Sequence, residues 1–296
     1  MPNLNFCGEV AAVSDAEVLL LGFVAGATIL LGLPVGRMCR PAPQLKQLLN
    51  AAAGGVLLFL LWDVLSAAFE PLEESVEELG EGHGGELGAV FGYGVLFFGG
   101  LAIGLMGLVY YEAWMTRRVA VSRERSGGPG AMSVGETAAG GLASWSTARQ
   151  LALLIAVGIG LHNFAEGLAI GSAAAADEID MVTVLVIGFA LHNATEGFGI
   201  TAPLAGEPDR PSWPFLLGLG AIAGGPTFVG TLVGQSVTSE PVSVVFLTLA
   251  AGSILYVIVQ LIGLGLRHSR TVLGWGLLLG LTAGFLTDLV IDAAGV

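Results

Sequence analysis

The chain has 296 residues, 54% hydrophobic and only 12% charged, with a mean hydropathy of +0.81 and 46 glycines. This composition excludes a soluble globular domain and points to a polytopic membrane protein, read as one transmembrane domain over residues 1–296. Eleven Lys and Arg against 24 Asp and Glu give a net charge of −13, a balance that speaks against nucleic-acid binding and suits a salt-loving organism or a vestibule that gathers cations.

Crossing a hydrocarbon core of about 30 Å takes roughly 20 helical residues. Eight runs meet that length, at 17–36, 47–69, 89–115, 150–175, 181–204, 214–237, 242–266 and 271–293. None shows the period-two polarity of a transmembrane strand, so the expected fold class is an all-α bundle of eight transmembrane helices. The first fifteen residues carry Glu9 and Asp15 and no Lys or Arg, unlike a cleavable signal peptide, so the first span is expected to direct targeting.

Arg37, Arg40 and Lys46 lie between spans one and two, and Arg117, Arg118, Arg123, Arg125 and Arg149 between three and four. Arg210 follows span five, and Arg267 and Arg270 follow span seven. All eleven basic residues thus fall in odd-numbered connections, which the positive-inside rule places in the cytoplasm, with both termini outside. Cys7 and Cys39 then face opposite sides, and no disulfide between them is expected.

Between spans two and three runs an acidic connection with Glu70, Glu73, Glu74, Glu77, Glu78, Glu81, His83 and Glu86, either a solvated loop or a cation-gathering mouth. Gly99, Gly100, Gly104 and Gly107 in span three, and Gly218, Gly220, Gly224 and Gly225 in span six, suit close helix packing in lipid. Residues 116–149, rich in Gly, Ser and Ala, read as a flexible cytoplasmic loop. Pro226 predicts a kink or local unwinding in span six that frees carbonyls.

Spans four and five carry the chemistry. Each contains one copy of a six-residue phrase: His162-Asn163-Phe164-Ala165-Glu166-Gly167 and His192-Asn193-Ala194-Thr195-Glu196-Gly197. Ionisable residues in apolar spans cost about 2.5–3.5 kcal/mol each on insertion scales and are usually functional. His and Glu, four residues apart, share one helix face. The short connection around Asp177, Glu178 and Asp180 makes the helices antiparallel neighbours. Both phrases then lie roughly 17–20 Å below the outer surface, at 1.5 Å per residue.

Two imidazoles, two carboxylates and two amide oxygens at one depth make a nitrogen and oxygen set that suits Zn²⁺ first, and also Fe²⁺, Mn²⁺, Co²⁺ or Cd²⁺. The candidate metal residues are therefore His162, Asn163, Glu166, His192, Asn193 and Glu196. Interhelical hydrogen bonding alone, worth about 0.6–2 kcal/mol in membranes, does not offset two Glu and two His without a cation or proton. Along the path, Asp63 in the outer half of span two is a candidate at the mouth, and Glu112 and His268 are candidates at the inner exit. Gln260 and Asp288 are read as interface groups.

With these residues in place the chain resembles the ZIP (Zrt/Irt-like protein) family of divalent-metal transporters. The likeness covers the eight spans, the long connection after span three and both phrases. It implies a mid-path metal site at the six named residues, metal movement into the cytoplasm, an inverted repeat of spans one to three with six to eight, and a homodimer; the expected location is a prokaryotic plasma membrane. Three features depart from the family pattern. Ala165 and Thr195 stand where family phrases commonly have proline, which predicts a weaker kink. Span six reads Gly224-Gly225-Pro226-Thr227 without a carboxylate, leaving Thr227 or freed carbonyls to complete any second position, so one ion is expected rather than two. The cytoplasmic loop also lacks a His-rich tract. Two other readings remain at this stage: an intramembrane metal hydrolase, and a proton-coupled carrier of another solute.

Overall fold

A computed structural model describes residues 14–38, 43–80, 87–126, 145–236 and 239–293. Cys7, Cys39, Arg40, Glu81, His83, Glu86 and residues 127–144 of the expected loop lie outside the described residues. Among the described residues all regular structure is helical, and eight helices are long and apolar enough to cross a membrane.

Helix α1 (Asp15–Ala27) starts with a capping box, in which Ser14 Oγ accepts from Glu17 N and the Glu17 carboxylate accepts from Ser14 N at 2.8 Å. It continues as a 3-10 segment, Thr28–Arg37, around Pro34. Helices α2 (Pro43–Gly80) and α3 (Leu87–Ser126) outrun the spans expected from hydropathy. Glu and Leu are good helix formers, so α2 carries Glu70 to Glu78 on its own outer turns instead of in a connection. Likewise α3 continues eleven residues into the stretch read as a loop, from Thr116 to Ser126.

Helix α4 (Thr147–Ala175) passes into α5 (Ile179–Thr201) through a tight reversal. Asp177 takes a left-handed φ of 58°, Asp177 N bonds back to Ala174 O at 3.1 Å and Glu178 N to Ala173 O at 3.0 Å. This Schellman arrangement makes the two helices antiparallel neighbours. A short 3-10 turn (Ala202–Leu204) follows, then α6 (Trp213–Gly234), α7 (Glu240–Leu266) and α8 (Arg270–Ala293).

Two packing groups emerge. In one, α2 lies against α7 and α8, and α3 against α7; in the other, α4 lies against α6, α5 against the 3-10 segment, and α1 against α6. Backbones meet through glycine: the Cα face of Gly104 meets Leu249 O, and that of Gly224 meets Gly26 O. Gly99, Gly107, Gly218 and Gly225 instead face open space, so only one face of each glycine-rich span is used for packing. Helix α6 runs unbroken through Pro226, and the unwinding expected there does not occur. Proline removes the N–H that would bond Ile222 O, a loss of one bond that the α4 contact absorbs.

Basic groups, including Arg37, Lys46, Arg149, Arg210, Arg267 and Arg270, mark one end of the bundle, and Asp15, Glu73, Glu77, Asp177 and Glu240 the other.

Candidate metal centre

His162 and Glu166 stand one turn apart on α4, and His192 and Glu196 one turn apart on α5, so each pair shares a helix face. Their side chains converge. His162 Nε2 lies 2.8 Å from Glu166 Oε1 and 3.9 Å from Glu196 Oε1, while His192 Nε2 contacts the same Glu166 Oε1. One carboxylate oxygen thus meets an imidazole nitrogen from each helix. Ligand atoms of His162, Glu166 and His192 all lie within 4.8 Å of one another. Around a tetrahedral ion with bonds near 2.0–2.1 Å, adjacent ligand atoms are about 3.3 Å apart.

The cluster is sealed on most sides: His162 is 1% exposed, Glu166 4% and Glu196 2%. Both asparagines are pinned by their amides to a neighbouring helix. Asn163 Nδ2 donates to Ala223 O of α6 at 3.1 Å, and Asn193 Nδ2 donates to Ala25 O of α1 at 3.2 Å and to Glu166 Oε2 at 3.4 Å. Their Oδ1 atoms, and His162 Nδ1, find no hydrogen-bond partner among the described residues. Asn163 also approaches Glu196, yet neither Glu196 oxygen receives a well-formed hydrogen bond among those residues. A buried unsatisfied polar group costs about 1–3 kcal/mol, and more when charged. A divalent cation answers several of these acceptors at once.

His192, with 13% of its side chain exposed, is the member that reaches open space. It lines a cavity of about 220 Å³ on the acidic half of the bundle, together with Asp63, Thr195, Thr287 and Asp288. Asp63, singled out by its depth in span two, is thereby joined to the cluster. Asp288, read from the sequence as an interface group, faces the same cavity; its signal was its place in the same half of the membrane as Asp63. Phe189 packs beside the His192 ring, with centroids 5.4 Å apart.

The other candidates lie elsewhere. Thr227 is fully buried where α6 meets α4 and α1, its carbonyl against Gly167 and its hydroxyl facing Gly26. Glu112 accepts from Gln260 Nε2 at 2.9 Å and lines a cavity of about 250 Å³ at the basic end. His268 is exposed and lines an adjoining cavity of about 240 Å³. The structure therefore brings the six phrase residues together, places Asp63 on the cavity that His192 lines, and leaves Glu112 and His268 near the basic end.

The sequence profile described as ZIP Zinc transporter matches residues 124–292, more than half of the chain and both phrases. Comparison with curated proteins found no match.

Proposed function

The chain belongs to the ZIP zinc transporter family, and on that premise we propose that it carries Zn²⁺ toward the cytoplasm through His162, Asn163, Glu166, His192, Asn193 and Glu196. Members of the family transport divalent metal ions across membranes and are not enzymes, so the hydrolase reading falls away. The observation that carries the site assignment is the single Glu166 oxygen met by an imidazole from each of two helices. Two His and two Glu supply the nitrogen and oxygen donors that Zn²⁺ takes at four positions. Fe²⁺, Mn²⁺, Co²⁺ and Cd²⁺ are the competing cargoes, because they share this ligand taste.

The orientation rests on the basic residues gathered at one end, which the positive-inside rule assigns to the cytoplasm. A hydrated cation then approaches from the acidic side, passes Asp63 and reaches His192 through the 220 Å³ cavity. It exchanges water for the cluster ligands. Toward the other side Leu57, Leu154, Ile155, Ile159, Ile200 and Leu204 are buried in one apolar core. This arrangement supports reading the state as open to the outside and closed to the cytoplasm.

An inverted repeat of α1–α3 with α6–α8 is supported by matched contacts. Asn163 to Ala223 O on α6 is mirrored by Asn193 to Ala25 O on α1. Gly167 against Thr227 O is mirrored by Gly197 against Ile29 O, and Gly55 against Leu277 O by Gly252 against Leu101 O. Assembly as a homodimer, which the family resemblance implies, and location in a prokaryotic plasma membrane belong to the same proposal.

Zinc uptake into proteoliposomes tests the site. Replacing Glu166 by Ala should lower the rate by more than about tenfold, since it removes the shared oxygen. A rate equal to that of the unaltered protein would overturn the assignment.

A further inference from the structure

We propose that Lys46 is an inner latch: its ammonium group occupies carbonyl oxygens that, with Asn50, form the place the cargo cation takes on its way out to the cytoplasm. The inference rests on the inward-transport reading above and adds a residue and an exit site to it.

Lys46 is the single lysine of the chain and lies in the first turn of α2. A cation there faces the positive end of its own helix dipole. Its ammonium group turns instead to the chain just past α5. Lys46 Nζ donates to Pro203 O at 3.0 Å and to Ala205 O at 2.6 Å. These carbonyls follow the C-terminal, negative end of the α5 dipole, so the lysine is favoured across the interface and not along its own helix. Glu207 adds a negative charge close by.

This link crosses the boundary between the two packing groups. Helix α2 belongs with α3, α7 and α8, whereas Pro203 and Ala205 follow the metal-bearing α5. The next residue ties α2 to its own group: Gln47 Nε2 donates to Gly265 O at 3.1 Å and to Ser269 O at 2.6 Å, and Ser269 N donates to Gln47 Oε1 at 3.3 Å. Gln47 is thus an anchor within one group, and Lys46 a clasp between the two. The end of α5 cannot leave α2 without releasing the clasp.

The clasp lies at the 240 Å³ cavity, which Lys46 lines with Asn50, Pro203, Thr147 and His268. Asn50 is one turn further into α2, on the same face, and only 3% exposed. Its Oδ1 has no hydrogen-bond partner among the described residues. A buried acceptor on the cavity that Lys46 and Pro203 also line suits a cation. In this state the cation is the tethered one, and a divalent ion cannot share those oxygens with an ammonium group. When α5 moves away from α2, Pro203 O, Ala205 O and Asn50 Oδ1 become free to receive the cargo.

Thiol labelling of the full-length protein, with Cys7 and Cys39 replaced by Ser, tests the latch without any metal. One reporter, Ala53→Cys, lies one turn deeper than Asn50 and is 6% exposed; the other, Leu185→Cys, lines the outer cavity. Lys46→Met should raise labelling at residue 53 and lower it at residue 185, changing the ratio of the two by about tenfold for a shift of roughly 1.4 kcal/mol between states. Lys46→Arg should keep the original pattern. A lysine that merely caps carbonyls would leave the outer reporter unchanged, and that result, or unchanged labelling at both sites, overturns the latch. If Lys46→Met does not yield folded protein, Lys46→Gln, which keeps a donor and loses the charge, is read by the same criteria. Asn50→Leu should lower the maximal zinc uptake rate several-fold with the half-saturating concentration unchanged; an unaltered rate removes Asn50 from the exit. Reciprocal labelling with no zinc uptake would overturn the cargo and leave the latch, whereas zinc uptake with unchanged labelling would overturn the latch alone.

Discussion

Gly197, the residue after Glu196, lies directly against Gly32 of the 3-10 segment, so a side chain added to Gly197 would meet Gly32 Cα at 3.0 Å and, closer still, Ile29 O. Both obstacles are backbone, which cannot rotate away. The glycine therefore fixes how near α5 comes to the α1 segment, and with it the height and tilt of Glu196.

Replacing Gly197 by Ala should force the two elements apart. Overpacking of this kind costs about 1–3 kcal/mol, and a displaced Glu196 should weaken zinc binding in addition. Gly107→Ala, at a position facing open space, should be neutral in both respects. Thermal unfolding in detergent, followed by zinc uptake in proteoliposomes, separates the two outcomes. Equal behaviour of the two variants would mean that this contact does not position the site.

Zinc should stabilise the folded protein. A ligand present at 100 times its Kd adds about 2.7 kcal/mol when it binds only the native state, so the apparent Tm should rise with added zinc and fall back with a chelator. His192→Ala removes one of the two imidazoles on Glu166 and should abolish most of that rise. The rise should also shrink as pH is lowered, because His and Glu must shed protons to bind a metal. A zinc-dependent Tm shift that persists in His192→Ala would place the ion elsewhere.

The asparagines are expected to act by position. Asn163→Ala loses the donor to Ala223 O, and Asn163→Asp loses it too while adding a charge. Leaving that pairing unmade should cost about 1–3 kcal/mol. Asn193→Ala should behave alike through Ala25 O, given its matching bond to α1. Unfolding of the three variants, measured with and without zinc, checks whether stability and metal affinity fall together.

Much of this was legible in the chain before any coordinates. The paired phrases stand out because His and Glu in apolar spans need a reason, and the spans follow from hydropathy and length. Other features depend on contacts between residues far apart in sequence. Lys46 and Pro203 are 157 residues apart, and nothing local to either suggests the other. Gly100 and Gly104 pack against α7 while Gly99 and Gly107 do not, a choice set by where α7 lies and not by the glycines themselves. The extension of α2 through its Glu-rich turns was hidden because hydropathy marks where lipid ends, not where a helix ends. The unbroken α6 shows the converse: Pro226 is a local breaker, and packing against α4 and α1 keeps the helix continuous around it.

Asp63 is the test of how the ion reaches the cluster. It lines the outer cavity with His192 and Asp288, yet makes no part of the group of converging ligand atoms on α4 and α5. A carboxylate at the mouth raises the local cation concentration and speeds encounter, an effect that falls with ionic strength. Asp63→Asn should therefore reduce uptake at low zinc concentration by several-fold and change the maximal rate little. The loss should be largest in dilute buffer and fade as salt is raised. Equilibrium zinc binding, read from the Tm shift, should stay close to that of the unaltered protein. If Asp63→Asn instead lowers the maximal rate and removes the Tm shift, Asp63 is itself a ligand of the bound ion, and the metal site extends outward from α4 and α5 to α2.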